Sequence, residues 1–198
     1  MGAIKLPTTS LLLVLFGVLA CALPKSDQAG LALHRGVLDG QAIWQLWTGH
    51  LVHFGASHAA VDLLTVLLAG LIVEPVLGRG RTFALCLLAT PLISIATLWL
   101  APAMVEYRGA SALAMMLGFA AGGVLWRDER LRLPVQLIAG SFAVKLAFDA
   151  AGSRSDLSGM PIEVLVAWQA HAMGALIGLL VALAIANPVR RATSNLRA

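Results

Sequence analysis

Ser111 and His171, far apart in the chain, are residue types that could do chemistry together. A serine hydroxyl is a weak nucleophile at neutral pH. An imidazole beside it can take its proton and later return it to a leaving group. Ser111 opens an apolar stretch directly after Gly109 and Ala110, so it falls at a helix N-terminus. Backbone N–H groups are unpaired there and the helix dipole favours negative charge. A tetrahedral oxyahion formed at that end would be stabilised, and Gly109 lets the backbone turn tightly. On spacing alone, Ser111 also fits a plain N-cap, and His171 also fits a histidine hydrogen-bonded to another helix.

Gly174 and Gly178 follow His171 at i+3 and i+7, on its helix face. Small residues let a neighbouring helix approach closely. If that neighbour is the helix opened by Ser111, the imidazole reaches the serine; generic small-residue packing is the alternative. A second polar cluster holds His50, His53, His58 and Asp62. His58 and Asp62 are four apart and share a face. His53, five before His58, lies about 140° away on an ideal helix and should meet another neighbour or a loop. His58 could donate to an oxyanion. The cluster offers possible metal ligands, but no HExxH or CxxC spacing is present, and no metal or organic cofactor is expected. His50 falls near the membrane interface, where solvation is its simplest role. Lys145 and Asp149 read as an i,i+4 ion pair. No third triad carboxylate is evident, so a Ser–His dyad is expected. Cys21 and Cys86 read as inert packing; two cysteines make neither a disulfide scaffold nor a four-cysteine zinc site.

The elements that must position these groups are membrane helices. Of the 198 residues, 59% are hydrophobic and 12% charged, and the mean hydropathy is +0.86. A soluble domain carries about 25% charged residues, so an ordinary water-soluble globule and a disordered chain are both excluded. The pI of about 9.7 would suit nucleic acid, but the basic residues are scattered between apolar blocks and report membrane orientation instead. Six segments approach the roughly 20 apolar residues a span needs, near 8–24, 44–73, 82–104, 109–126, 133–151 and 163–186. The expectation is an all-α integral membrane protein, a single six-transmembrane-helix bundle over residues 1–198. Lys5 and the run Leu11–Leu23 resemble a signal peptide. Five further spans follow, so an uncleaved first span is the simpler reading.

Lys and Arg counts set orientation. With the N-terminus inside, Lys5, Arg79, Arg81, Arg127, Arg130, Arg132, Arg190, Arg191 and Arg197 lie inside, nine in all. Lys25, Arg35, Arg108 and Arg154, four in all, lie outside. Both termini are then expected in the cytoplasm. The second, fourth and sixth spans enter from the outer face, so their polar residues gather there. Trp44, Trp47 and Trp168 lie near outer ends, as an interfacial belt does.

Taken together, these residues resemble the rhomboid intramembrane serine proteases. The second span has His53, His58 five later and Asp62 four after that, where the family has histidine, histidine and asparagine. Gly70 to Gly80, with Glu74 and the pair Gly78 and Gly80, looks like the segment closing that span. Gly109-Ala110-Ser111-Ala112 corresponds to the family's Gly-x-Ser-Gly motif, and His171 with Gly174 and Gly178 to its catalytic-histidine span. The likeness covers about residues 40–186. Tyr107-Arg108-Gly109 and the compact chain look most similar to the rhombosortase branch, which implies cleavage of C-terminal Gly-Gly-type sorting tails.

The resemblance implies a serine endopeptidase of a multi-pass membrane protein, in the bacterial inner membrane. Ser111 is then the nucleophile and His171 the base and acid. The Ser111 N–H and His58 serve the oxyanion, with Asp62 as a helper and His53 supporting the water-accessible cavity or a loop. The implied partners are the lipid bilayer and transmembrane or C-terminally anchored protein substrates, with no nucleic acid. Three positions depart from the pattern: Asp62 replaces asparagine, Ala112 replaces glycine, and Gln45 falls where many members have arginine. Asp62 must then be protonated, paired with a group such as His58, or turned away. Two other readings remain: a catalytically inactive relative that binds transmembrane segments, and a small transporter using the His/Asp cluster.

Overall fold

Where lipid surrounds a chain, its backbone N–H and C=O groups must pair within the protein, and a helix does this inside one segment. The computed structural model describes residues 6–152 and 167–186, and these are mostly helical. In order they form α1 (Thr8–Cys21), α2 (Lys25–Leu31), α3 (Gln45–Thr48), α4 (Ala56–Leu77), α5 (Arg79–Leu100), α6 (Ser111–Leu125), α7 (Arg132–Ala150) and α8 (Trp168–Ala186). Among the described residues, extended pairing is confined to a two-residue antiparallel ladder. In it β1 (Leu33–His34) sets Leu33 opposite Tyr107 and His34 opposite Glu106 of β2 (Glu106–Tyr107).

Four stretches are long and apolar enough to cross a membrane: α4, α5, Glu129–Ala150, which runs through a 3-10 turn into α7, and α8. The apolar helices α1 and α6 are shorter, at 14 and 15 residues. Fifteen residues rise about 22 Å, less than the roughly 30 Å of a hydrocarbon core. The segment expected at 44–73 is not one helix. It is α3, a loop and α4, and the extended Gly55 marks where the loop ends and α4 begins. Thirty residues also exceed what one crossing needs. The sixth expected segment begins at 163, but residues 163–166 lie outside the described residues. So do Lys5, Arg154, Arg190, Arg191 and Arg197 of the charge count.

Backbones approach closely at small residues. A Cβ on Gly174 would overlap the backbone of Ala112, and one on Gly178 would overlap that of Met116. Thus α8 lies against α6 along the stripe that follows His171. Gly70 of α4 instead makes room for the Ser10 side chain of α1. Glu74, buried in α4, accepts the N–H groups of Thr9 (3.2 Å) and Ser10 (2.8 Å) and the Ser10 hydroxyl (2.9 Å). A carboxylate here meets the unpaired donors and positive dipole end of α1.

The loops before α4 are tied down just as specifically. Pro91 in α5 has no N–H, so the Leu87 carbonyl loses its helical donor. The Trp47 indole N–H fills that place at 3.0 Å, pinning α3 to α5. Arg35 donates to the Leu98 carbonyl in the last turn of α5 at 2.7 Å. By contrast, α7 is loosely held, and Asp149 is its only buried residue.

Candidate active site

Ser111 is the first residue of α6, and Ala110 is the N-cap, with no side chain capping the helix. The plain N-cap reading of Ser111 therefore does not describe it. Its hydroxyl lies 2.8 Å from His171 Nε2 instead. His171 is buried one turn into α8, on the face that Gly174 and Gly178 press against α6. The first N–H groups of α6 have no partner within the helix, so they face the same end as the serine.

The loop leading to Ser111 is held at successive residues. Gly109 N–H donates to the Gly49 carbonyl at 3.1 Å. The Tyr107 hydroxyl donates to the Gly109 carbonyl at 2.9 Å. Ala110 N–H donates to His53 Nε2 at 3.2 Å. Gly109 itself has φ +131°, and a Cβ there would come 2.9 Å from His58 Cε1 and 3.2 Å from Asp62 Oδ2. Both the conformation and the space demand glycine. Burial pushes the Tyr107 phenol well above its ordinary range, which keeps it a neutral donor.

His50 is fully buried, not solvated as its position suggested. Its ring stands edge-on to Tyr107, with centroids 5.0 Å apart. The Ser94 hydroxyl gives its hydrogen to the Leu46 carbonyl at 2.8 Å, so it accepts from His50 Nε2–H at 3.0 Å. His50 thus braces the Tyr107 ring from behind the loop.

Ideal-helix spacing sets His53 toward another neighbour or a loop, and it does meet the Ala110 loop, yet it also lies beside His58. That geometry assumed one helix through both, but His53 lies in the loop before α4 and His58 in α4's first turn. The loop folds the two rings together, with centroids 5.3 Å apart. Asp62 Oδ2 lies 3.3 Å from His58 Nε2 and 3.4 Å from His53 Nε2. The other ring nitrogen of His53 is 3.9 Å from Cys21 Sγ. Among the described residues, no group of three or more His, Cys, Asp or Glu is arranged to hold a metal ion.

The model of the Rhomboid domain family matches residues 40–188, well over half of the chain. The chain belongs to the rhomboid family. No curated protein matches it. Rhomboids are in general intramembrane serine proteases that act on transmembrane substrates within the bilayer, and this one is an integral membrane protein. The matched region takes in Ser111, His171 and the residues that hold the Gly109 loop, and leaves out α1 and α2.

The rhomboid's three departures now have structural settings. Asp62 turns one oxygen toward two imidazoles at 3.3 and 3.4 Å, and among the described residues that oxygen has no formed hydrogen bond. Ala112 is a buried helical residue, in a conformation open to any side chain. Gln45 accepts the His34 N–H at 3.2 Å and donates to the Gly30 carbonyl at 3.1 Å, so its amide satisfies two loop strands at once.

One residue near the pair went unseen as a partner. Asp149 makes the expected ion pair with Lys145 at 2.6 Å. Its same Oδ2 also lies 3.7 Å from His171 Nδ1. The i,i+4 spacing accounted for Lys145; the contact with His171 depends on how α7 meets α8, which spacing along one helix does not report. A cavity of about 520 Å³ opens beside these residues, lined among others by Phe54, Met104, Glu106, Asp149 and Trp168.

Proposed function

We propose that this rhomboid is an active serine endopeptidase that cuts transmembrane or C-terminal sorting-tail segments of exported proteins. The observation that carries the reading is the 2.8 Å contact between Ser111 Oγ and His171 Nε2. In the proposed reaction Nε2 takes the hydroxyl proton as Oγ attacks the scissile carbonyl carbon. The carbonyl oxygen becomes an oxyanion, met by the Ser111 N–H at the start of α6 and by His58, with Asp62 steering that imidazole. The imidazolium returns the proton to the leaving amine as the C–N bond breaks. Water, deprotonated by the same nitrogen, then releases the acyl group. His53 holds the loop through the Ala110 N–H.

Asp149, which faces His171, lines the cavity together with Trp168, and in this reading water approaches the pair from that side. A peptide bond inside a helix is shielded by its own hydrogen bonds, so a good substrate carries glycine or other small, helix-weakening residues near the cut. The proposal includes six spans with both termini in the cytoplasm, the bacterial inner membrane as location, and kinship with the rhombosortase branch through Tyr107-Arg108-Gly109.

Fluorophosphonate labelling in native membranes tests the reading without a known substrate. Wild type should label, and Ser111→Ala and His171→Ala should not, at equal expression. An inactive relative is the second reading, favoured by the carboxylate of Asp62 beside the oxyanion end. Failure of folded wild type to label, with labelling appearing in Asp62→Asn, would establish that alternative.

A further inference from the structure

His171 Nε2 accepts the Ser111 proton in the reaction proposed above, so in the resting neutral ring the proton sits on Nδ1. Among the described residues, that buried Nδ1 has no hydrogen-bond partner. A buried donor left unpaired is costly, and native sites rarely tolerate one. The acceptor facing it is Asp149 Oδ2 at 3.7 Å, on a side chain 2% exposed. This separation is longer than a formed hydrogen bond, but contacts of resting catalytic groups are often long and tighten in the reacting complex.

Three further features point the same way. Asp149 is the one buried residue of α7, and its carboxylate faces His171. Lys145 holds the same carboxylate oxygen at 2.6 Å while its own side chain is 41% exposed, so a cation fixes the carboxylate from its outer side. No other carboxylate of the described residues lies within ion-pair distance of His171.

We propose that Asp149 is a positioning residue for His171. It accepts the Nδ1–H, fixes the tautomer that leaves Nε2 free for Ser111, and stabilises the imidazolium while the ring holds the serine proton. The site then works as Ser111–His171–Asp149, with Lys145 as the clamp on the carboxylate. This inference rests on the protease reading for its catalytic consequence but not for the pairing itself, and the test separates the two.

The kinetic arm measures fluorophosphonate labelling per folded molecule, resolving maximal rate from half-saturating probe concentration. Asp149→Asn is isosteric and should cut the maximal rate by about 100-fold or more, an effect of the kind seen when a triad carboxylate is neutralised. Half-saturation should stay within about twofold, and Asp149→Glu should recover a substantial part of the rate. A merely structural role would lower the folded amount and leave the rate per folded molecule unchanged. Asp149→Asn labelling at the wild-type rate, while Ser111→Ala stays silent, overturns the inference and leaves the protease reading intact.

The second arm is proton NMR of histidine-labelled protein in micelles, which needs no turnover. A downfield Nδ1–H resonance of His171 should be present in wild type and Ser111→Ala and lost in Asp149→Asn. Its persistence in Asp149→Asn overturns the pairing. An unreactive wild type with an Asp149-dependent resonance supports the pairing and sinks the protease reading instead.

Discussion

Gly109 is where the demands of backbone and side chains meet most sharply. Its φ of +131° suits glycine alone, and the missing Cβ leaves room for His58 and Asp62. Gly109→Ala therefore pushes the loop off the two side chains and turns the α6 end away from His171. Such strain costs about 1–3 kcal/mol, so labelling should fall at least about tenfold in protein that still migrates as a folded species. Tyr107→Phe is a milder case. It removes one hydrogen bond worth roughly 1 kcal/mol to the Gly109 carbonyl but keeps the ring against His50, so the melting temperature should drop slightly and labelling only a few-fold. Residue type made Ser111, His171 and Gly109 legible in the sequence, because few side chains suit those roles at a helix start. Burial and cross-helix contact were not legible. His50 sits near a span's end in sequence but is enclosed by the Tyr107 loop, and Asp149 meets His171 only through interhelical packing.

Elements carry the distance between Ser111 and His171. The stripe of Gly174 and Gly178 brings α8 against the α6 backbone at Ala112 and Met116, so the 2.8 Å contact depends on two residues that do no chemistry. Gly174→Leu must separate the helices by more than the contact tolerates. Labelling should vanish, and the melting temperature in detergent should fall. Wild-type labelling in that variant would show that α8 is positioned by something else. Glu74→Gln probes the opposite end of the bundle. It removes the charge from hydrogen bonds to Thr9 and Ser10 that are worth about 1.5–3 kcal/mol each when charged. The protein should melt several degrees lower while labelling per folded molecule stays near wild type, because Glu74 lies roughly four helical turns down α4 from His58, which meets Gly109. The glycine stripe was readable from i+3 and i+7 spacing. The break of the 44–73 segment was not, because its apolar residues continue across Gly49 and Gly55 and hydropathy alone does not register the loop.

For the whole molecule, the proposed orientation can be argued from structure as well as from charge. The loop ladder of β1 and β2, the Gly109 loop and the starts of α4, α6 and α8 share one end, and the site opens there. Of the basic residues counted to that side, Arg35 is spent on the Leu98 carbonyl and Arg108 on Glu106 at 2.9 Å. At the other end Arg79 and Arg81 begin α5, and Arg127, Arg130 and Arg132 cluster between α6 and α7. In the proposed orientation, which follows the positive-inside bias, the Ser111 end lies at the outer face. Two exposed positions report it directly: Val105, 81% exposed beside β2, and Glu129, whose side chain is 82% exposed between α6 and α7. In protein with Cys21 and Cys86 changed to alanine, Val105→Cys should react with a membrane-impermeant maleimide on intact spheroplasts. Glu129→Cys should react only after permeabilisation. The reverse pattern would put the Ser111 end in the cytoplasm, where exported sorting tails never arrive, and the substrate class would have to be abandoned even if Ser111 still labelled.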